Sequence, residues 1–197
     1  CSNALKDIVV NEFGVSPCRI YVVPDGVDID FFRPIANKME LRKRYNLPQD
    51  KRIVAYLGLL SRYQGIGLLL EAIRRIKRMR NDVHFLIMGY PNVDLYKRKA
   101  DELGIQDIVT FTGRMPYYKA PEAIGCADIA VSLKLSKTEA NGKLLDYMAA
   151  GLPVAAFDTP VNKEILGAYG MYADYNNIDS FVEHLQFLLD NPGKADS

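Results

Sequence analysis

The feature that most constrains this chain is a regular alternation of short, mostly apolar runs with amphipathic helical stretches. Arg52–Leu57, Val83–Met88, Ile108–Thr112, Ile129–Leu133 and Val154–Phe157 read as strands, and most of them stop at glycine or a polar turn. Strands apolar throughout, not only at alternate positions, belong in a sheet covered on both sides. Between them lie helical patterns. Ile66–Met79 is the strongest, with Ile66, Leu69, Leu70, Ile73 and Ile76 at three-and-four spacing and Arg74, Arg75, Lys77 and Arg78 on the other face. Leu95–Leu103 follows, closed by Gly104; then come Pro116–Cys126, Gly142–Ala150, Val161–Leu166 and a last helix at Ile178–Leu189. A polar helix is expected around Met39–Tyr45, and Ile20–Val23 reads as a further strand stopped by Pro24-Asp25-Gly26. This order predicts an α/β fold: a doubly wound, mostly parallel, Rossmann-like sheet with helices on both faces.

In such a sheet ligands bind beyond the carboxyl ends of the strands, where the strand order reverses. The loops to inspect are those that start at Gly58, Gly89, Gly113, Leu133 and Phe157. Gly58 to Gly65 opens the best helix, and Arg62 could offer a charged donor to a phosphate; the other reading is an ordinary turn with a solvent-facing arginine. In the stretch Ser136 to Val154, Asn141 and Gly142 fall at a helix start, where backbone amides face outward. Lys143 sits in the first turn, which the helix dipole disfavours for a cation unless an anion is near. Asp146, three residues on, shares that side of the helix and could accept two hydrogen bonds from a ribose diol. An ordinary surface Lys–Asp pair is the competing interpretation. Asp28 and Asp30 form an Asp-x-Asp that reads as turn chemistry, not as a metal site.

Composition excludes several classes. With 25 basic and 24 acidic residues the net charge is +1, which gives no footprint for nucleic acid. The three cysteines, Cys1, Cys18 and Cys126, are widely spaced and form no zinc pattern. His84 and His184 lie in or beside apolar runs, which points to structural roles. No G-x-G-x-x-G follows a strand, so a dinucleotide-dependent dehydrogenase is a poor fit. No apolar run reaches the roughly 18–20 residues that cross a bilayer, and no secretory leader is evident, so a cytoplasmic protein is expected. The opening inside a helix at Ser2 to Phe13, without a starting methionine, reads as a piece of a longer protein.

Taken in order, these segments resemble the C-terminal, nucleotide-sugar-binding domain of the two-domain (GT-B) retaining glycosyltransferases called group 1 or family 4. Val22 to Asp28 followed by Phe32 and Pro34 is similar to "I-P-N-G-V-D…F-x-P", and Gly58 to Ala72 to "G-R-L…K-G…L-L-x-A". Val109 to Gly113 is similar to "V-x-F-x-G", Glu139 to Pro153 to "E-x7-E…M-A-x-G-x-P", and Asn162 to Ile165 to the "E-I/V" loop. The resemblance implies residues 1–19 as the tail of a preceding domain and 20–197 as the donor domain. It implies Asp146 as the ribose carboxylate and Glu139 as the sugar carboxylate, one residue off the strict spacing, which lands on Thr138. It also implies amides near Asn141 and Gly142 at the phosphates or sugar, and Gly113 and Arg114 beside the base. The family's phosphate-binding Arg and Lys fall on Leu59 and Gln64, so Arg62 and Lys143 are the candidate replacements within a site that also includes Gly58.

The implied activity is transfer of a sugar from a nucleoside-diphosphate (NDP) sugar to an acceptor with retention, with no cofactor and no metal. The implied partners are the NDP-sugar donor, an N-terminal acceptor domain and an acceptor glycan, lipid or small molecule. Any membrane association is expected to run through that other domain. A fragment holding only this half is expected to bind donor without transferring sugar. A non-catalytic nucleotide-sugar module and a sugar-nucleotide epimerase half are the alternatives.

Overall fold

The computed structural model describes residues 2–192. Its six strands are β1 (Arg52–Leu57), β2 (Val83–Met88), β3 (Val109–Gly113), β4 (Ile129–Ser132), β5 (Val154–Phe157) and β6 (Gly170–Ala173). They form one sheet in the order β3-β2-β1-β4-β5-β6, and every pair is parallel. The order reverses between β1 and β4, so the crevice of a doubly wound sheet opens there.

The helices are α1 (Asn3–Phe13), α2 (Lys38–Arg44), α3 (Ile66–Met79), α4 (Val93–Glu102), α5 (Ala120–Ile124), α6 (Lys143–Ala149), α7 (Pro160–Leu166) and α8 (Ile178–Asp190). They cover both sheet faces. Val54 and Tyr56 of β1 point to a core built with α3, α4 and α8, through residues such as Leu69, Ile73, Tyr96, Phe181 and Leu185. Ile53 and Ala55 point the other way, to Leu41 of α2, Ile124 of α5, and Leu144 and Tyr147 of α6. The period-two alternation of a strand thus feeds two apolar layers from one apolar run. Ile66, Leu69, Leu70, Ala72, Ile73 and Ile76 of α3 are all buried. No helix among the described residues is long and apolar enough to cross a membrane.

Two expectations need correction. Residues 20–23 form no strand: they lie outside the six-stranded sheet, with Tyr21 and Val23 exposed. Their β-branched and aromatic content favours a pleated surface only where a neighbouring strand exists to pack against. Conversely, β6 joins β5 with pairs such as Ala156 with Tyr172, although its sequence carries no clear strand signature. Asp28 Oδ1 accepts from the backbone N–H groups of Asp30 and Phe31 at 3.0 and 3.1 Å, so this carboxylate closes its own turn.

The start of the chain is tied to the region that follows β4. The Ser2 hydroxyl caps α1 by accepting from Leu5 N–H and donates to the Thr138 carbonyl at 2.5 Å. The Asn3 side-chain amide donates to Glu164 of α7 at 2.7 Å.

Candidate active site at the strand-order reversal

The loop after β1 and the loop after β4 meet at the reversal and are laced together. Leu135 N–H donates to the Tyr63 carbonyl at 2.9 Å. Gly65, at φ +75°, lies so close to β4's end that an added Cβ would sit 2.0 Å from the Leu133 carbonyl oxygen. Only glycine permits both that conformation and that approach.

On one wall stand Gly58 and Gln64, on the other Lys143. Lys143 Nζ donates to Gln64 Oε1 at 2.7 Å, lies 4.6 Å from the centre of the Tyr56 ring, and is so near Gly58 that a Cβ there would be 2.7 Å away. The ammonium is withdrawn from water although the residue keeps some exposed surface. Its pKa falls to about 7, chiefly through burial, with the Lys134 ammonium lowering it further and Glu139 opposing. The surface Lys–Asp pair of the competing interpretation does not form: Lys143 turns inward to Gln64 instead.

Asp146 lies one turn along α6, half-buried. Burial raises its carboxyl to about pKa 6, and no hydrogen bond or ion pair holds it among the described residues. A desolvated carboxylate without a donor is costly to keep, and such groups concentrate where a ligand supplies the donors.

Asn141 is buried. Its side-chain amide donates to Ser132 Oγ at 3.0 Å and to Asn162 Oδ1 at 2.9 Å, while Asn162 donates to the Phe157 carbonyl at 2.8 Å. The Asn141 side-chain NH2 therefore anchors the loop to the ends of β4 and β5, while its buried Oδ1 has no hydrogen-bond partner among the described residues. Gly142 caps α6 and stays half-buried, close to the Asp25 carboxylate.

Glu139 is exposed at the outer edge of the same loop, with Oε2 3.0 Å from Lys134 Nζ. Lys134 is nearly fully buried and also donates to the Ala140 carbonyl at 2.6 Å. Sequence reasoning missed this lysine, although a lone cation between Leu133 and Leu135 at a strand end was a visible signal.

Arg62 lies in a 3-10 turn, solvent-exposed, and its guanidinium makes no ion pair or hydrogen bond among the described residues. Gly113 and Arg114 sit farther along the rim, after β3. The Arg114 guanidinium stacks 5.1 Å from the Tyr90 ring centre. Beside them a cavity of about 210 Å³ is lined by Gly58, Leu59, Gly89, Tyr90 and Met115. Its floor is backbone against backbone: Gly58 N–H donates to the Met88 carbonyl at 2.9 Å, and a Cβ on Gly89 would lie 1.8 Å from the Gly58 carbonyl oxygen. The structure thus joins Gly58, Gln64 and Lys143 directly, puts Asp146 on the same helix as Lys143, and sets Gly113 and Arg114 by the adjoining cavity. Arg62 stays apart from that cluster, and the Asn141 side chain serves the scaffold.

Fold and crevice together define a Rossmann-like α/β domain, doubly wound about the strand-order reversal. Residues 37–197 match the family described as glycosyl transferases group 1, and the chain belongs to that family. D-inositol 3-phosphate glycosyltransferases of Mycobacterium bovis and Mycobacterium tuberculosis are 30% identical over 200 residues, covering 93% of this chain. The chain spans only 39% of the length of those curated relatives. A glycosyltransferase from Rickettsia africae superposes with a TM-score of 0.86 at 20% identity, over 98% of this chain and 52% of that one. Anabaena Alr3699/HepE in complex with UDP gives a TM-score of 0.86 at 16% identity, over 99% and 54%. At these identities the superpositions show the common fold.

Proposed function

We propose that this chain is the donor-binding half of a retaining, family-4 glycosyltransferase of hexosyltransferase type, which transfers a sugar from an NDP-sugar to an acceptor. The observation that carries the reading is the placement, one turn apart on α6 at the strand-order reversal, of a desolvated ammonium at Lys143, bonded to Gln64, and a half-buried Asp146 carboxylate with no hydrogen bond or ion pair among the described residues. A ribose diol satisfies the carboxylate and a diphosphate satisfies the ammonium. The Anabaena protein of the same fold, solved with UDP and with UDP-glucose, supports a nucleotide sugar as the ligand class.

In this reading Lys143 steadies the charge that gathers on the departing diphosphate. A fixed cation in a poorly solvated crevice does this without reorganisation when the bond breaks. Arg62 adds a second cation at the rim, and the scheme needs no metal. The acceptor site belongs to a preceding domain, whose closure over the crevice would exclude water. The chain alone would bind donor without transferring sugar. Leu59, whose exposed side chain brings no charge to the crevice, favours a second reading as a non-catalytic nucleotide-sugar module.

Thermal-shift titration with UDP, GDP and ADP tests the proposal. A ligand present at a hundred times its Kd stabilises by about 2.7 kcal/mol, so at least one nucleotide should raise the Tm by several degrees. No shift with any of them at millimolar concentration overturns it. Donor binding by the chain, together with sugar transfer only by a longer protein that carries the preceding domain, separates the transferase from the module.

A further inference from the structure

Two lysines, Lys134 buried and Lys143 partly so, face the loop between β4 and α6, and the loop offers them one carboxylate. The Lys134 side chain is 4% exposed and pairs with Glu139 Oε2 at 3.0 Å, whereas the Glu139 side chain is 58% exposed. Among the described residues the Lys143 ammonium has only the neutral Gln64 oxygen as a hydrogen-bond acceptor. Within the loop itself Glu139 is the one carboxylate that meets these lysines, and a desolvated charge without a partner is costly. The directions at Lys143 agree: Lys134 disfavours its charged form and Glu139 favours it. Of these groups Glu139 is the one free to leave, because it is the exposed one and its ties lie within the loop, through Lys134 and through its N–H to Ser136 Oγ at 3.0 Å.

We propose that Glu139 is a resident counter-ion, held by Lys134 in the empty protein and displaced when the diphosphate of a nucleotide enters, so that Lys134 becomes a second diphosphate-binding lysine beside Lys143. The inference rests on the donor-binding reading and deepens it by naming an internal competitor. Before binding, Glu139 covers the buried cation. After binding, its carboxylate is released towards the sugar side of the crevice, so the one carboxylate serves both states. Lys134 keeps its bond to the Ala140 carbonyl and continues to hold the loop.

Calorimetric titration of the purified chain with inorganic pyrophosphate and with UDP tests this, on wild type, Glu139→Gln and Lys134→Met. Glu139→Gln removes the competitor and should tighten both ligands by about fivefold, the size expected of a partly exposed ion pair. Lys134→Met should weaken both by tenfold or more. Should Lys134→Met fail to fold, the exposed Glu139→Gln variant carries the test alone. If wild type binds UDP while Glu139→Gln binds pyrophosphate equally or less well, the counter-ion role is overturned and the donor-binding reading stands. If pyrophosphate binds and tightens in Glu139→Gln while UDP does not bind, the counter-ion role holds and the nucleotide reading falls. Failure of both ligands with both proteins overturns the two together.

Discussion

Lys143 Nζ and Gln64 Oε1 meet at 2.7 Å across the line where the strand order reverses, so a side chain from α6 and one from the loop after β1 share a single hydrogen bond. Lys143 gains its acceptor and the crevice gains a fixed width. The resemblance that assigns a lysine to position 64 finds the cation on the opposite wall instead, with glutamine holding it.

This predicts a charge-swap result. Gln64→Lys alone would put a second ammonium against Lys143 and remove its acceptor, costing about 1–3 kcal/mol. Adding Lys143→Gln should restore most of the loss, because the bond is remade in the reverse sense. Chemical denaturation of the two single variants and the double variant measures the coupling. Additive losses in the double variant would show that the pair carries no such link.

Asp146 should trade stability for binding. Its folded pKa of about 6 lies above the ordinary 3.8, so the folded protein holds more protons between those values. Stability is then fullest below the ordinary carboxyl pKa and declines as pH rises through about 6. At pH 7.5, Asp146→Asn should melt no lower than wild type, and its Tm should vary less between pH 4 and pH 7. It should also lose the nucleotide-induced shift. A variant that still responds fully to UDP would remove Asp146 from the site.

The Asn141 network makes the loop a rigid part of the scaffold. Asn141→Ala would break the bonds to Ser132 and Asn162 and leave their buried polar atoms short of a partner, a loss of about 2–3 kcal/mol. Urea denaturation should show a lower midpoint with an unchanged slope. A midpoint equal to wild type would mean the network contributes nothing.

His84 gives a separate acid-side signature. Burial holds its pKa down near 4, and Nε2 lies 2.8 Å from Thr110 Oγ1 between β2 and β3. The unfolded imidazole binds its proton first, near pH 6.5, so stability present above that value is lost as pH falls from 6.5 towards 4. His84→Gln should flatten that part of a Tm-against-pH curve, and an unflattened curve would place the loss elsewhere.

Much of the sheet was legible because a strand buried on both faces needs apolar residues at nearly every position, as in Val83–Met88, where His84 is the one polar residue. The misread segment at Tyr21 and Val23 carries the same local preference but lies outside the sheet, and local sequence does not encode which segments join a ladder. β6 escaped for the opposite reason: its place beside β5 comes from the ladder and not from its own composition. Lys143 and Asp146 were legible as residues, since a cation in a helix's first turn is anomalous. The inward turn of Lys143 was not, because it depends on Gln64, 79 positions away. Asn141 was read for its backbone amide. That its side chain faces Asn162 became visible only once α6 and α7 stood side by side.

The main-chain contact between Gly58 and Gly89 restricts how this crevice can be changed. A surface made of peptide groups offers mutation nothing to vary except steric ruin, so natural drift and engineering alike are confined to the surrounding side chains, Tyr90, Arg114 and Met115. Attempts to change what the adjoining cavity admits should therefore begin with those three positions.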